Sequence, residues 1–192
     1  MKIGVLALQG DFSEHIRILE KIGVTAVEVR LPHDLADIDG LIIPGGESTT
    51  IGKLAVRFGL MAPIRQLASA KPVWGTCAGA IFLARDPRYS QPMLGLMDIA
   101  VKRNAFGRQS ESFETDLEVP EIATAENSQK VHAVFIRAPL IESVGADVTV
   151  LARLSDGRIV AARQRNLLAT AFHPELTGDD RFHRYFLSLG SG

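Results

Sequence analysis

The sequence predicts an α/β fold, a mainly parallel central sheet flanked by helices. Three observations carry this expectation. Short apolar runs suited to buried strands alternate with segments of helical periodicity through the first half of the chain. Two of those runs end in glycine-rich turns, Pro44-Gly-Gly46 and Gly75-Thr-Cys77-Ala-Gly79, at the carboxyl ends where open α/β sheets carry their sites. The length of 192 residues, 46% of them hydrophobic, suffices for one well-filled core, so residues 1–192 are read as a single domain.

Residues 2–8 (Lys-Ile-Gly-Val-Leu-Ala-Leu) make the first buried strand. Asp11 with Glu14 has the spacing of a capping box, and Phe12, Ile16 and Leu19 then share one helical stripe. Residues 25–30 and 40–44 give the next two strands, and a helical region follows from about 49 to 68, with Ser48 a candidate cap. Residues 72–77 form a further strand, which turns sharply into a helix-like run after Gly79. Beyond Ala84 alternating strands dominate: residues 148–154, an Asp156-Gly157 turn and residues 159–164 read as a hairpin. The arginines from Arg153 to Arg165 are assigned to its solvated face, and residues 178–189 to a closing helix. There is no internal repeat, low-complexity tract or linker.

Composition narrows the function. A net charge of -1 gives no electrostatic case for nucleic acid or an anionic membrane. No apolar run reaches the length of a bilayer span, and no signal-like segment precedes the first strand. A single cysteine excludes an intrachain disulfide and suits the reducing cytoplasm.

That cysteine carries the chemistry. Strand, Gly-x-Cys-x-Gly turn and helix are the layout of a nucleophile elbow, with sulfur in place of a serine oxygen. A helix N-terminus favours thiolate, the reactive form. Among five histidines, only His173 lies in a segment with evident geometry, Ala171-Phe-His-Pro-Glu175. Pro174 pushes His173 toward an extended conformation, in which His173 and Glu175 face the same side. Cys77, His173 and Glu175 thus form a candidate triad. The N–H groups of Gly46 and Ala78 are candidates for an oxyanion hole. Three rivals are weaker, the first being a catalytically silent partner protein, against which the complete triad argues. In peptidase- or chaperone-like proteins with an elbow cysteine a histidine commonly follows the sulfur directly, where this chain has Ala78. A metal hydrolase built on His173, Glu175, Asp179 and His183 lacks a recognised ligand spacing.

The motifs together resemble the triad-type (class I) glutamine amidotransferases. More narrowly they resemble the glutaminase subunits of pyridoxal 5'-phosphate synthases. The likeness rests on Leu8-Gln-Gly10, Pro44-Gly-Gly-Glu-Ser-Thr49, Trp74-Gly-Thr-Cys-Ala-Gly79, Arg103-Asn-Ala-Phe-Gly-Arg-Gln109 with Ser112-Phe113, Phe135-Ile-Arg-Ala-Pro139 and Phe172-His-Pro-Glu-Leu176. It implies a flavodoxin-like three-layer sandwich, hydrolysis of L-glutamine to L-glutamate and ammonia, and delivery of ammonia to a separate synthase subunit. It implies a glutamine pocket of Gly46, Glu47, Ser48, Arg103, Ile136 and Arg137, and neither cofactor nor metal. It also implies coupling of hydrolysis to docking, with the glycines at 10, 45 and 46 able to move. An arginine suits the substrate carboxylate and Glu47 its ammonium group.

Overall fold

A computed structural model describes residues 1–86, 88–103, 112–123 and 130–190. Residues 104–109 of the Arg103–Gln109 motif and the last two residues lie outside the described ones. The elements run β1 (Lys2–Leu6), α1 (Phe12–Lys21), β2 (Thr25–Val29), β3 (Gly40–Ile43), α2 (Ser48–Arg57), α3 (Met61–Ala68), β4 (Val73–Thr76) and α4 (Ala78–Leu83). They continue with β5 (Ile99–Lys102), β6 (Ser112–Leu117), β7 (Val131–Ile136), β8 (Leu140–Val144), β9 (Thr149–Arg153), β10 (Ile159–Gln164), β11 (Leu167–Thr170) and α5 (Arg181–Ser188).

Among the described residues, the main sheet has the order β2-β1-β3-β4-β11-β10-β8-β5, with β9 also on β10. From β2 to β11 every pairing is parallel. From β11 onward the pairings are antiparallel, and β6 with β7 makes a separate antiparallel ribbon. The α/β class expected from the first half of the sequence is the one found, and the change of texture after Ala84 is the antiparallel extension.

Parallel strands must be covered on both faces, and side-chain alternation divides the core accordingly. Leu41 and Ile43 of β3 point to one cluster with Ile51 of α2, Ile64 of α3 and Ile81 of α4. Ile42 points to the other, with Leu19 of α1, Phe182 of α5 and Phe135 of β7. Three layers result. The chain leaves β1 for β2 on one side and reaches β3 on the other, so the loops after β1 and β3 flank a topological switch point, the favoured place for a ligand.

Several local expectations change. The helical region is two helices, because Gly59, at φ 68°, takes the left-handed position that ends α2. Asp11 precedes α1 but makes no side-chain capping bond. Ser48 does not cap α2 either; Glu47 does, accepting from Thr49 N–H at 2.9 Å and Thr50 N–H at 2.7 Å. The β9–β10 hairpin forms as expected, with Arg153 exposed, but Arg163 is half-buried and lies near Tyr185.

Candidate active site

The elbow is built by close backbone packing. Cys77 joins β4 to α4 at φ 48° and ψ -106°, and its N–H donates to Thr170 O at 2.8 Å. A Cβ on Gly79 would lie 2.0 Å from Ile43 O, and one on Gly75 2.4 Å from Gly79 O. Only glycine lets α4 press this closely on β3 and β4.

His173 follows β11, and its N–H donates to Val134 O of β7 at 2.8 Å. On one side its ring interacts with Cys77. On the other side Nδ1 donates to Glu175 Oε1 at 2.7 Å. The pair meets by a route different from the expected one. Pro174–Leu176 is a 3-10 turn, and this turn, rather than extended alternation, brings the carboxylate back to the ring. Burial alone would lower the pKa of His173; hydrogen bonds with Cys77 and Glu175 outweigh it and hold the group at about 10. Burial raises the Glu175 carboxyl, opposed by the bond from His173. A cationic ring between sulfur and carboxylate is the state an activated thiolate requires. The second Glu175 oxygen, Oε2, faces His15 Nε2 at 3.4 Å.

Beside the elbow, the loops after β1 and β3 lock together. Asp11 N–H donates to Gly45 O at 3.1 Å, and Glu47 N–H to Gln9 Oε1 at 2.7 Å. A Cβ on Gly10, itself at φ 99°, would fall 1.7 Å from Gly45 O. Gly46, at φ 151°, lies against Gln9 and Gly10. Asp11, freed from capping, sets its carboxylate 3.6 Å from His173 Nδ1.

Arg103 is not a solvated surface cation. Its guanidinium donates to Ser48 Oγ, to Thr49 Oγ1 at 2.9 Å and to Gln91 Oε1, and it sits 5.2 Å from the Tyr89 ring centre. Glu47 Oε1 is 3.8 Å from it. The hydrogen bond from Thr50 Oγ1, reinforced by the amides at the start of α2, holds the Glu47 carboxyl at about 2. Arg137 is exposed and adopts φ 44°, a conformation rare outside glycine.

These elements enclose a cleft of about 550 Å³. Cys77, Ala78, His173, Gly46, Glu47, Ser48, Arg103, Ile136 and Arg137 all line it, while Glu175 stands behind His173. Gln9 and Asp11 also line it, although the residues alone assigned them no part in the site; the signal for Gln9 was the Leu8-Gln-Gly10 motif, which Asp11 directly follows. Asp11, His173 and Glu175 bring ligand-type atoms within 4.8 Å of one another. Asp179 and His183 do not join that group, so the four-residue metal arrangement is not assembled. Among the described residues no helix is long and apolar enough to cross a membrane.

A profile of the SNO glutamine amidotransferase family matches residues 5–189. A relative from Herpetosiphon aurantiacus named "Pyridoxal 5'-phosphate synthase subunit PdxT" is 60% identical, the match covering 98% of this chain and 100% of the relative. One of the same name from Roseiflexus castenholzii is 55% identical, with the same coverage of both chains. A solved structure described as "Crystal structure of glutamine amidotransferase" superposes with a TM-score of 0.90 at 50% identity over 99% of each chain.

Proposed function

We infer the activity from membership: the chain belongs to the SNO glutamine amidotransferase family, and it hydrolyses L-glutamine to L-glutamate and ammonia. With relatives named as subunits of pyridoxal 5'-phosphate synthase over their full length, it supplies that ammonia to the synthase subunit for pyridoxal 5'-phosphate formation.

We propose that Cys77, His173 and Glu175 perform the hydrolysis. The observation that carries this reading is the unbroken series of contacts from Cys77 through His173 to Glu175 on the wall of the cleft. Cys77 thiolate attacks the side-chain amide carbon, and the oxygen takes up negative charge. Gly46 and Ala78 N–H groups receive that charge; both residues border the sulfur's cleft, which supports the assignment. His173 protonates the departing nitrogen, so that ammonia leaves rather than amide anion. A thioester remains. His173 then takes a proton from water, which attacks the thioester and releases glutamate.

The substrate's own charges are met by other residues that line the same cleft. Arg103 and Arg137 are the candidate partners of its carboxylate, Glu47 of its ammonium group, and Ser48 and Ile136 complete the pocket. The low pKa of Glu47 supports an anionic partner at neutral pH. The same reading takes residues 1–192 as one domain acting in the cytoplasm, where the lone thiol stays reduced.

The test is glutamate release by the chain mixed with its synthase subunit. Cys77→Ala is expected to abolish both glutamate release and glutamine-dependent pyridoxal 5'-phosphate formation, while synthesis from added ammonia persists. Retained glutaminase activity in that variant would overturn the triad.

A further inference from the structure

We propose that His15, held by His183, is a positioning residue for this reaction: its Nε2–H fixes the second oxygen of Glu175 and so aims the imidazole of His173. The proposal rests on the triad reading above.

Behind Glu175 lies a buried string of polar groups that the mechanism leaves unused. His15 of α1 and His183 of α5 are both 0% exposed. His15 Nδ1 and His183 Nε2 are 3.0 Å apart. On its other side His15 Nε2 is 3.2 Å from Thr76 Oγ1 and 3.4 Å from Glu175 Oε2. Among the described residues, Glu175 Oε2 and His183 Nδ1 are buried without a hydrogen bond of ordinary geometry.

These facts select the tautomers. Burial lowers the pKa of both imidazoles, with the neighbouring histidines lowering His15 further. Asp179 and Asp180 counter this for His183 without reversing it. Both rings are therefore neutral at neutral pH, and between them one nitrogen donates and one accepts. If His15 Nδ1 donated, the Nε2 lone pair, met only by the Thr76 hydroxyl, would also face the carboxylate, and His183 Nδ1 would be left a buried donor without an acceptor. Both are costly. In the reverse arrangement His183 Nε2–H donates to His15 Nδ1, and His15 Nε2–H faces Thr76 and Glu175 Oε2. The idle atom is then only a lone pair on His183 Nδ1. The carboxylate thus dictates the protonation of both rings, and the rings in turn hold the carboxylate. Thr76 precedes Cys77 directly, so the string ties the base's partner to the strand that carries the sulfur.

Glutamate release by the full chain with its synthase subunit reads the effect. In His15→Leu, kcat is expected to fall about ten- to a hundredfold at unchanged KM, from loss of the N–H that faces a buried carboxylate oxygen at 3.4 Å. The pH profile should narrow from both sides. Glu175 is then protonated at higher pH on the acid limb, and His173 loses its proton at lower pH on the alkaline limb. His15→Gln, whose amide can place an N–H near the same oxygen, should recover most of the loss. His183→Phe, read alongside in case His15→Leu fails to fold, should narrow the profile in the same way. Wild-type kcat and pH limbs in folded His15→Leu or His183→Phe would overturn the proposal. So would equal losses in His15→Leu and His15→Gln with unmoved limbs, the pattern of a packing role. A Cys77→Ala enzyme that stayed active would strike the triad reading instead.

Discussion

At Cys77 the backbone holds φ 48° and ψ -106°, a conformation that costs a non-glycine residue about 1–3 kcal/mol and persists only where the surroundings dictate it. The cost belongs to the position, not to the sulfur. Cys77→Gly is therefore expected to melt at a higher temperature than Cys77→Ala, with both expected to be inactive; calorimetry of the two variants decides it. Glu47 serves α2 as its cap, so Glu47→Ala should lose about 1 kcal/mol of stability, read as a lower melting temperature, and should also raise the KM for glutamine. Arg137→Ala should raise KM with little change in kcat; an unchanged KM would remove that residue from the pocket. Single residues differed in how legible they were. Cys77 and His173 announced themselves through glycine and proline frames whose backbone consequences are fixed by sterics. His15 did not. It sits within the Phe12, Ile16, Leu19 stripe, where a histidine looks like one polar interruption of an apolar face, and its partners come from Thr76, Glu175 and His183, all distant in sequence. Asp11 was misread for a related reason: its spacing to Glu14 fits a cap, but the approach of the loop after β3 offers its carboxylate His173 instead.

At the scale of elements, the site is a set of strand ends pressed together until only glycine fits. Gly79→Ala would drive a Cβ to 2.0 Å from the Ile43 carbonyl oxygen, so α4 must shift away from β3. Because backbone rather than a flexible side chain is in the way, overpacking of about 1–3 kcal/mol or more is expected. Activity should fall further than stability, since the same shift moves Cys77 and Ala78; denaturant midpoints and kcat measured together would check this. The strand–turn–helix order was readable because each element has its own hydrophobic period. The division of α2 from α3 was missed because Leu60 and Ile64 continue the apolar pattern across Gly59, and periodicity outweighed the glycine stop signal. The β9–β10 hairpin was readable from its Asp156-Gly157 turn, but the pairing of β10 with β8 was not, since which strands share an edge depends on contacts between distant segments.

For the whole molecule, the buried imidazoles set the acid limit of stability. His183 falls to about 4 in the fold against an ordinary 6.5, and His15 shifts in the same direction. Between those values the unfolded chain binds protons at these rings that the folded chain does not, so their contribution to stability is fully present above about pH 6.5 and declines as pH falls toward 4. His183 alone accounts for about 3 kcal/mol of that decline. Urea midpoints between pH 7 and 4 should drop accordingly, and His183→Phe should flatten the slope. The three-layer architecture makes this coupling global, because α1 and α5 both seal one face of the sheet against Trp74 and the strands around it.

Trp74 is the chain's sole tryptophan and is wholly buried, with the His15 ring 5.6 Å away and the His183 ring 4.9 Å away, both edge-on. An imidazolium quenches indole emission far more strongly than a neutral imidazole. The protein therefore carries its own optical reporter, whose brightness records the charge state of the rings behind the Glu175 carboxylate without any label attached.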